Sequence, residues 1–115
     1  MHDLEALRDK LRRFAAERDW DRYHSPKNLA MALIVEAAEL AEHFQWLNEA
    51  HSARLPPEKL KEVEAELADV LLYLIRLADK LGVDLARAAE DKIARNEAKY
   101  PREKVRGSAK KYTEY

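Results

Sequence analysis

The stretch PPEKLKEVEAELADVLLYLIRLADKLG, residues 56–82, decides the architecture. Pro56-Pro57 opens it, because proline suits the first turn of a helix, where its missing N–H would have had no partner. Leu60, Val63, Leu67, Val70, Leu71 and Leu74 then recur at three- and four-residue spacing, the period of a helix face. Gly82 closes the run in the position just past a last turn. The long helix so predicted is apolar on two stripes, Leu67–Val70–Leu74 and Ala68–Leu72–Ile75. A helix apolar over so wide an arc has neighbours on two sides. In a chain of 115 residues some of those neighbours are expected to belong to another subunit.

The same punctuation extends outward. Ser25-Pro26 pairs an N-cap with a first-turn proline and starts a helix running without glycine or proline to about Asn48. Ahead of it, Asp3 caps a helix carrying Leu4, Leu7, Leu11 and Phe14 to about Asp19. Downstream, Asp84 caps a fourth helix from Leu85 to about Tyr100, and Pro101 stops it. No strand alternation and no fixed-period repeat occurs. With two glycines and four prolines the chain is too poor in turn residues for a β-sandwich or barrel. The expectation is an all-α, oligomeric four-helix bundle over residues 1–101 with a basic tail over 102–115.

Composition excludes several function classes. Charged residues make up 37% of the chain, against roughly 25% in an average domain. Yet 21 basic and 22 acidic residues leave a net charge of −1, unlike a globally basic nucleic-acid binder. The absence of cysteine removes disulfides, zinc–thiolate sites and thiol catalysis. The longest uncharged apolar stretch, Leu29 to Val35, is far too short to span a bilayer. Met1-His2-Asp3-Leu4-Glu5 lacks the basic start and apolar run of a signal peptide. A cytoplasmic protein with no nucleic-acid or membrane partner is expected.

The chemistry lies in the two middle helices. At 100° per residue Glu36 falls inside the arc of Leu29, Ala32, Leu33, Leu40 and Leu47. A lone buried carboxylate costs several kcal/mol or becomes neutral. Glu39 is one turn on, on the same side. Glu66 and Asp69 are likewise three apart, on a strip shared with Glu62 and Tyr73. With the two helices side by side, Glu36, Glu39, Glu66 and Asp69 converge, and four unpaired negative charges need a cation between them. An all-oxygen set suits Mg²⁺, or Mn²⁺ in its place. The di-iron bundles use Glu-x-x-His, and here His43 is four after Glu39, the wrong spacing. On the fourth helix Lys92 and Asn96 share a stripe with Leu85, Ala89 and Tyr100. They either snorkel to the surface or reach an anion held by the metal.

Several blocks occur together in order: Phe14-Ala-Ala-Glu-Arg-Asp-Trp20, His24-Ser-Pro-Lys-Asn28, Glu36-Ala-Ala-Glu39 continuing to Trp46, Glu66-Leu-Ala-Asp69 continuing to Tyr73, Lys92-Ile-Ala-Arg-Asn96, Lys99-Tyr100-Pro101 and Lys111-Tyr112-Thr113-Glu114. This ordered set resembles the MazG-like, all-α nucleoside triphosphate pyrophosphohydrolases, and within them the dCTP pyrophosphatase branch, from about residue 10 to the tail. The resemblance implies a homotetramer, with a dimer as the smaller alternative, and active sites between subunits. It implies Mg²⁺-dependent cleavage of a nucleoside triphosphate to the monophosphate and pyrophosphate. Carried over by position, Glu36, Glu39, Glu66 and Asp69 are the catalytic metal ligands. Lys92 and Asn96 lie on the phosphate side, and Trp20, His24, Trp46 and Tyr73 form the base pocket. Two other readings stay open from the residues: a broad house-cleaning triphosphate hydrolase, and a helical interaction module with an incidental cation site.

Overall fold

The computed structural model describes residues 3–107. These are helical and contain no strand. Four long helices stand where periodicity put them: α1 (Leu4–Glu17), α2 (Pro26–Glu42), α4 (Pro57–Lys80) and α5 (Leu85–Lys99). Two single turns, α3 (Glu49–Ser52) and α6 (Arg102–Val105), and a 3₁₀ turn over Asp21–Tyr23 complete them.

Caps fix the starts. The side chains of Asp3, Ser25 and Asp84 accept the backbone N–H of Ala6, Asn28 and Arg87, filling donors that the first turn leaves orphaned. Two ends close alike. Val83 N–H reaches back to the Ala78 carbonyl and Gly82 N–H to that of Asp79, with Gly82 left-handed at φ 68°. At the end of α1, Trp20 bonds to Ala15 and Asp19 to Ala16, and Asp19 takes the left-handed role at φ 53°. An aspartate in glycine's place carries strain, and the turn it makes delivers Trp20.

The second helix is shorter than expected. It ends at Glu42, not near Asn48. His43 and Phe44 donate to the carbonyls of Leu40 and Ala41, three residues back, so the chain tightens out of the helix. Asn48 then caps α3 by accepting the His51 N–H at 2.8 Å. A side chain committed to starting a new turn competes with continuing the old one.

The chain divides into two compact units after Val83. In the first, α4 is the hub: α2 packs along it and α1 packs on it as well. Its buried side chains are few, namely Ala15, Leu29, Val63, Ile75, Ala78 and the charged Arg76. On α2, Met31, Ile34 and Val35 are exposed, as are Leu67 and Leu71 on α4. Within the first unit, the wide apolar arc read from residues 56–82 is thus covered only in part by the described residues. The second unit contains α5 and α6. Of the basic tail, Arg102–Val105 forms one helical turn, and residues 108–115, with Lys110, Lys111 and the Tyr112-Thr113-Glu114 block, lie outside the described residues. No described helix is long and apolar enough to cross a membrane.

Candidate functional site

Where α2 and α4 pack, three carboxylates meet. Glu36 and Glu39, one turn apart on α2, and Glu66 on α4 each offer an oxygen within 4.8 Å of the others. Asp69 does not join this trio. It is one turn past Glu66, exposed, and lines the neighbouring cleft. The expected four-carboxylate cluster is therefore three carboxylates with the fourth adjacent. Spacing does not decide this, since Glu36 and Glu39 are also three apart and both join; the packing of α4 on α2 brings Glu66 to them and leaves Asp69 one turn further along.

The trio carries unbalanced charge. No described lysine or arginine pairs with it. The lysine that lines the adjoining groove, Lys59, is 3.6 Å from Glu62 instead. Oε2 of Glu36 and Oε2 of Glu66 are buried without a hydrogen-bond donor. Buried acceptors of that kind are rare because each forfeits its water. Without a cation the crowding raises the proton affinity of one carboxyl: Glu66 is pushed up to about 7, first by a hydrogen bond to Glu36 that only the acid form donates, then by burial and by Glu39. Oxygen donors of this density fit a hard divalent cation.

Beside the trio lies a cleft of about 270 Å³. Phe14, Trp20, His24, Asp69, Tyr73 and Arg76 face it. Trp20 meets Phe14 edge to face, ring centroids 5.6 Å apart at 71°. The Arg18 guanidinium sits 3.7 Å from the Phe14 ring centre. Trp20, His24 and Tyr73 are thus brought together with Asp69. Trp46 is not. With α2 ended at Glu42 it stands in the following turn, 88% exposed, away from the strip that a continued helix would have given it. Lys92 and Asn96 are exposed one turn apart on α5, in the second unit.

Sequence reasoning missed Phe14 and, more importantly, Arg76. Arg76 is only 5% exposed in an otherwise apolar reach of α4. A charged residue inside an apolar arc was the signal that singled out Glu36, and it applies equally here. Arg76 donates to Asp21, to Asp79 and to His24. Arg12 of α1 doubles onto Asp79, and Lys80 holds Asp21 at 2.7 Å. These pairs tie α1 and the 3₁₀ turn to α4. The Arg12 guanidinium holds Asp79 below the usual carboxylate range, and Lys80 does the same for Asp21.

Comparison with known proteins agrees with this anatomy. The chain is 45% identical over 113 residues to dCTP pyrophosphatase 1 of Rattus norvegicus and 42% identical to that of Homo sapiens, covering 96% of this chain in each case. It spans 66% of the length of those relatives, just under two-thirds. A crystal structure of a pyrophosphatase from Archaeoglobus fulgidus superposes with a TM-score of 0.81 at 42% identity, covering 88% of this chain and 94% of that one. The MazG-like family profile matches residues 31–115, which hold the whole acidic trio. By that match and by its helical order, the chain belongs to the MazG-like family.

Proposed function

We propose that the chain is a Mg²⁺-dependent nucleoside triphosphate pyrophosphohydrolase that converts dCTP, or a 5-modified dCTP, and water to the monophosphate and pyrophosphate. The observation that carries this reading is the trio Glu36, Glu39 and Glu66, with two buried oxygens lacking any donor. A triphosphate, itself about fourfold negative, approaches such a cluster only through a cation. The dCTP pyrophosphatase 1 relatives support the substrate class.

In this reading Glu36, Glu39 and Glu66 would hold the metal, with Asp69 as the fourth ligand. Bound Mg²⁺, or Mn²⁺ in its place, would neutralise phosphate charge and make the α-phosphorus more electrophilic. A carboxylate of the cluster orients a water and takes its proton. The water oxygen bonds to the α-phosphorus in line, the bond to the bridging α–β oxygen breaks, and pyrophosphate leaves. Lys92 and Asn96 are assigned to the phosphates on the family resemblance. The cleft, at the small end of ligand pockets, suits one base rather than a whole nucleotide. Trp20 and Tyr73 offer ring faces for stacking, His24 a polar group, and Asp69 links the cleft to the metal side. The exposed Met31, Ile34, Val35, Leu67 and Leu71 support assembly into a homotetramer, which sedimentation would report.

The test is product analysis with dCTP and Mg²⁺ by ion-exchange chromatography. dCMP and pyrophosphate are expected, and dCDP with orthophosphate would overturn attack at the α-phosphorus. Full activity in Glu39→Gln or Asp69→Asn would remove the ligand assignment. That Trp46 is exposed and does not line the cleft favours a second reading, a house-cleaning hydrolase of looser base preference. A panel of dCTP, dUTP, dTTP and dATP separates the two, and Trp46→Ala shows whether that residue reads the base.

A further inference from the structure

Arg76 does more than hold helices together. Its Nε donates to Nδ1 of His24 at 3.2 Å. Its other two nitrogens are occupied: Nη1 donates to Oδ2 of Asp79 at 3.3 Å and Nη2 donates to Oδ1 of Asp21. Both carboxylates have a second cation, Arg12 for Asp79 and Lys80 for Asp21. The guanidinium is thus clamped at three points and buried, so its Nε–H direction is set by α4, α1 and the 3₁₀ turn at once.

This has a chemical consequence for His24. A guanidinium donates only and does not lose its proton in a protein. An imidazole nitrogen facing Nε–H at hydrogen-bond distance must therefore be the unprotonated one. Nδ1 carries the lone pair, and Nε2 carries the proton. The imidazolium is disfavoured twice, since it would set N–H against N–H and place a second positive charge beside Arg76. Burial, then the charge of Arg76, hold His24 below its ordinary value, against the opposite pull of Asp21. We propose that Arg76 is a positioning residue that locks His24 as the neutral Nε2–H tautomer, so that the imidazole offers the cleft a hydrogen-bond donor and never an acceptor. A base held there must turn an acceptor toward His24, such as the N3 or O2 of cytosine. A ring N–H, like the N3–H of uracil or thymine, finds no partner. This inference rests on reading the cleft as the base pocket. The existence of the tautomer does not.

Two measurements test it. With ¹⁵N-histidine labelling, two-bond ¹H–¹⁵N spectra of the intact protein report each tautomer, and His24→Asn assigns the signal among the four histidines. An unprotonated Nδ1 and protonated Nε2 are expected; the reverse would overturn the proposal, whatever any variant does. The second uses Arg76→Lys, which keeps the charge but not the three-way fork. The His24 signal should become a mixture of tautomers. KM for the triphosphate that the wild-type protein turns over best should rise about tenfold, the weight of one directed hydrogen bond, with kcat within about twofold. A merely structural role would lower the active fraction and hence kcat, leaving KM and the surviving tautomer alone, and that outcome overturns the inference. If Arg76→Lys does not fold, the wild-type spectrum still decides. Failure of the wild-type protein to hydrolyse any triphosphate overturns the function reading and the base-reading role with it. Hydrolysis with unchanged KM overturns only the role of Arg76.

Discussion

Metal binding should expel a proton from Glu66, and the amount should depend on pH in a specific way. Glu66 sits near 7, against an ordinary 4.5, because Glu36 shares a proton with it and Glu39 adds repulsion. Only the carboxylate ligates. Loading Mg²⁺ should therefore release about half a proton per site at pH 7, about 0.9 at pH 6 and about 0.1 at pH 8. Titration calorimetry in buffers of different ionisation enthalpy reads that number directly. Apparent affinity should fall about tenfold per unit below pH 6, where the carboxyl is mostly protonated. The sign for stability runs the other way without metal. The folded value lies above the unfolded one, so the contribution of this group is present below about 4.5 and is lost as the pH rises through about 7. The melting temperature in chelator should fall across that window, and Mg²⁺ should restore it above pH 7. Glu66→Gln should abolish the pH dependence of proton release and weaken binding. Release that stays flat from pH 6 to 8, or that is unchanged in Glu66→Gln, would refute the carboxyl–carboxyl account of the trio.

Leu29→Ala should destabilise by about 3 kcal/mol, because Leu29 is 2% exposed and its deletion leaves a cavity beside the cleft; urea unfolding followed by fluorescence measures it. Asp19→Gly should stabilise by about 0.5 kcal/mol, since relief of a left-handed aspartate exceeds the entropy of the added glycine and the loss of an exposed pair with Arg22; a lower urea midpoint would contradict it. Asp79 and Asp21 are held below their ordinary 3.8, so their stabilisation is present above that value and disappears as the pH falls below it. Acid unfolding followed by circular dichroism should accordingly begin at higher pH in Asp79→Asn, and an unmoved acid midpoint would count against the Arg12–Asp79–Arg76 tie.

The four long helices and most of their boundaries were legible because they depend on local physics. Asp3, Ser25 and Asp84 advertise caps, Gly82 a left-handed end, and Pro57 and Pro101 a start and a stop. The Glu36–Glu39 and Glu66 encounter was legible too, since a carboxylate in an apolar arc must meet something. The end of α2 was not: between Glu42 and Asn48 stands no glycine or proline, and the competing signal is one asparagine whose role depends on a bond to His51. The placement of Trp46 on the Glu39 strip followed from that misjudged end, because a helical strip continues only as far as the helix.

The residues alone determined the all-α class and the acidic pairs one turn apart, since spacing along a helix converts directly into a face. Tertiary packing alone decided three matters. It joined three carboxylates rather than four, because the packing of α4 on α2 brings Glu66, and not Asp69 one turn further along, to Glu36 and Glu39. It gathered Phe14, Trp20, His24 and Tyr73 from three elements into one cleft. And it oriented Arg76 against His24 across 52 residues of sequence, where no local rule reaches. Periodicity says which side of a helix a residue occupies, whereas the partner across the interface, and with it the proton on His24 or Glu66, depends on how helices are brought together.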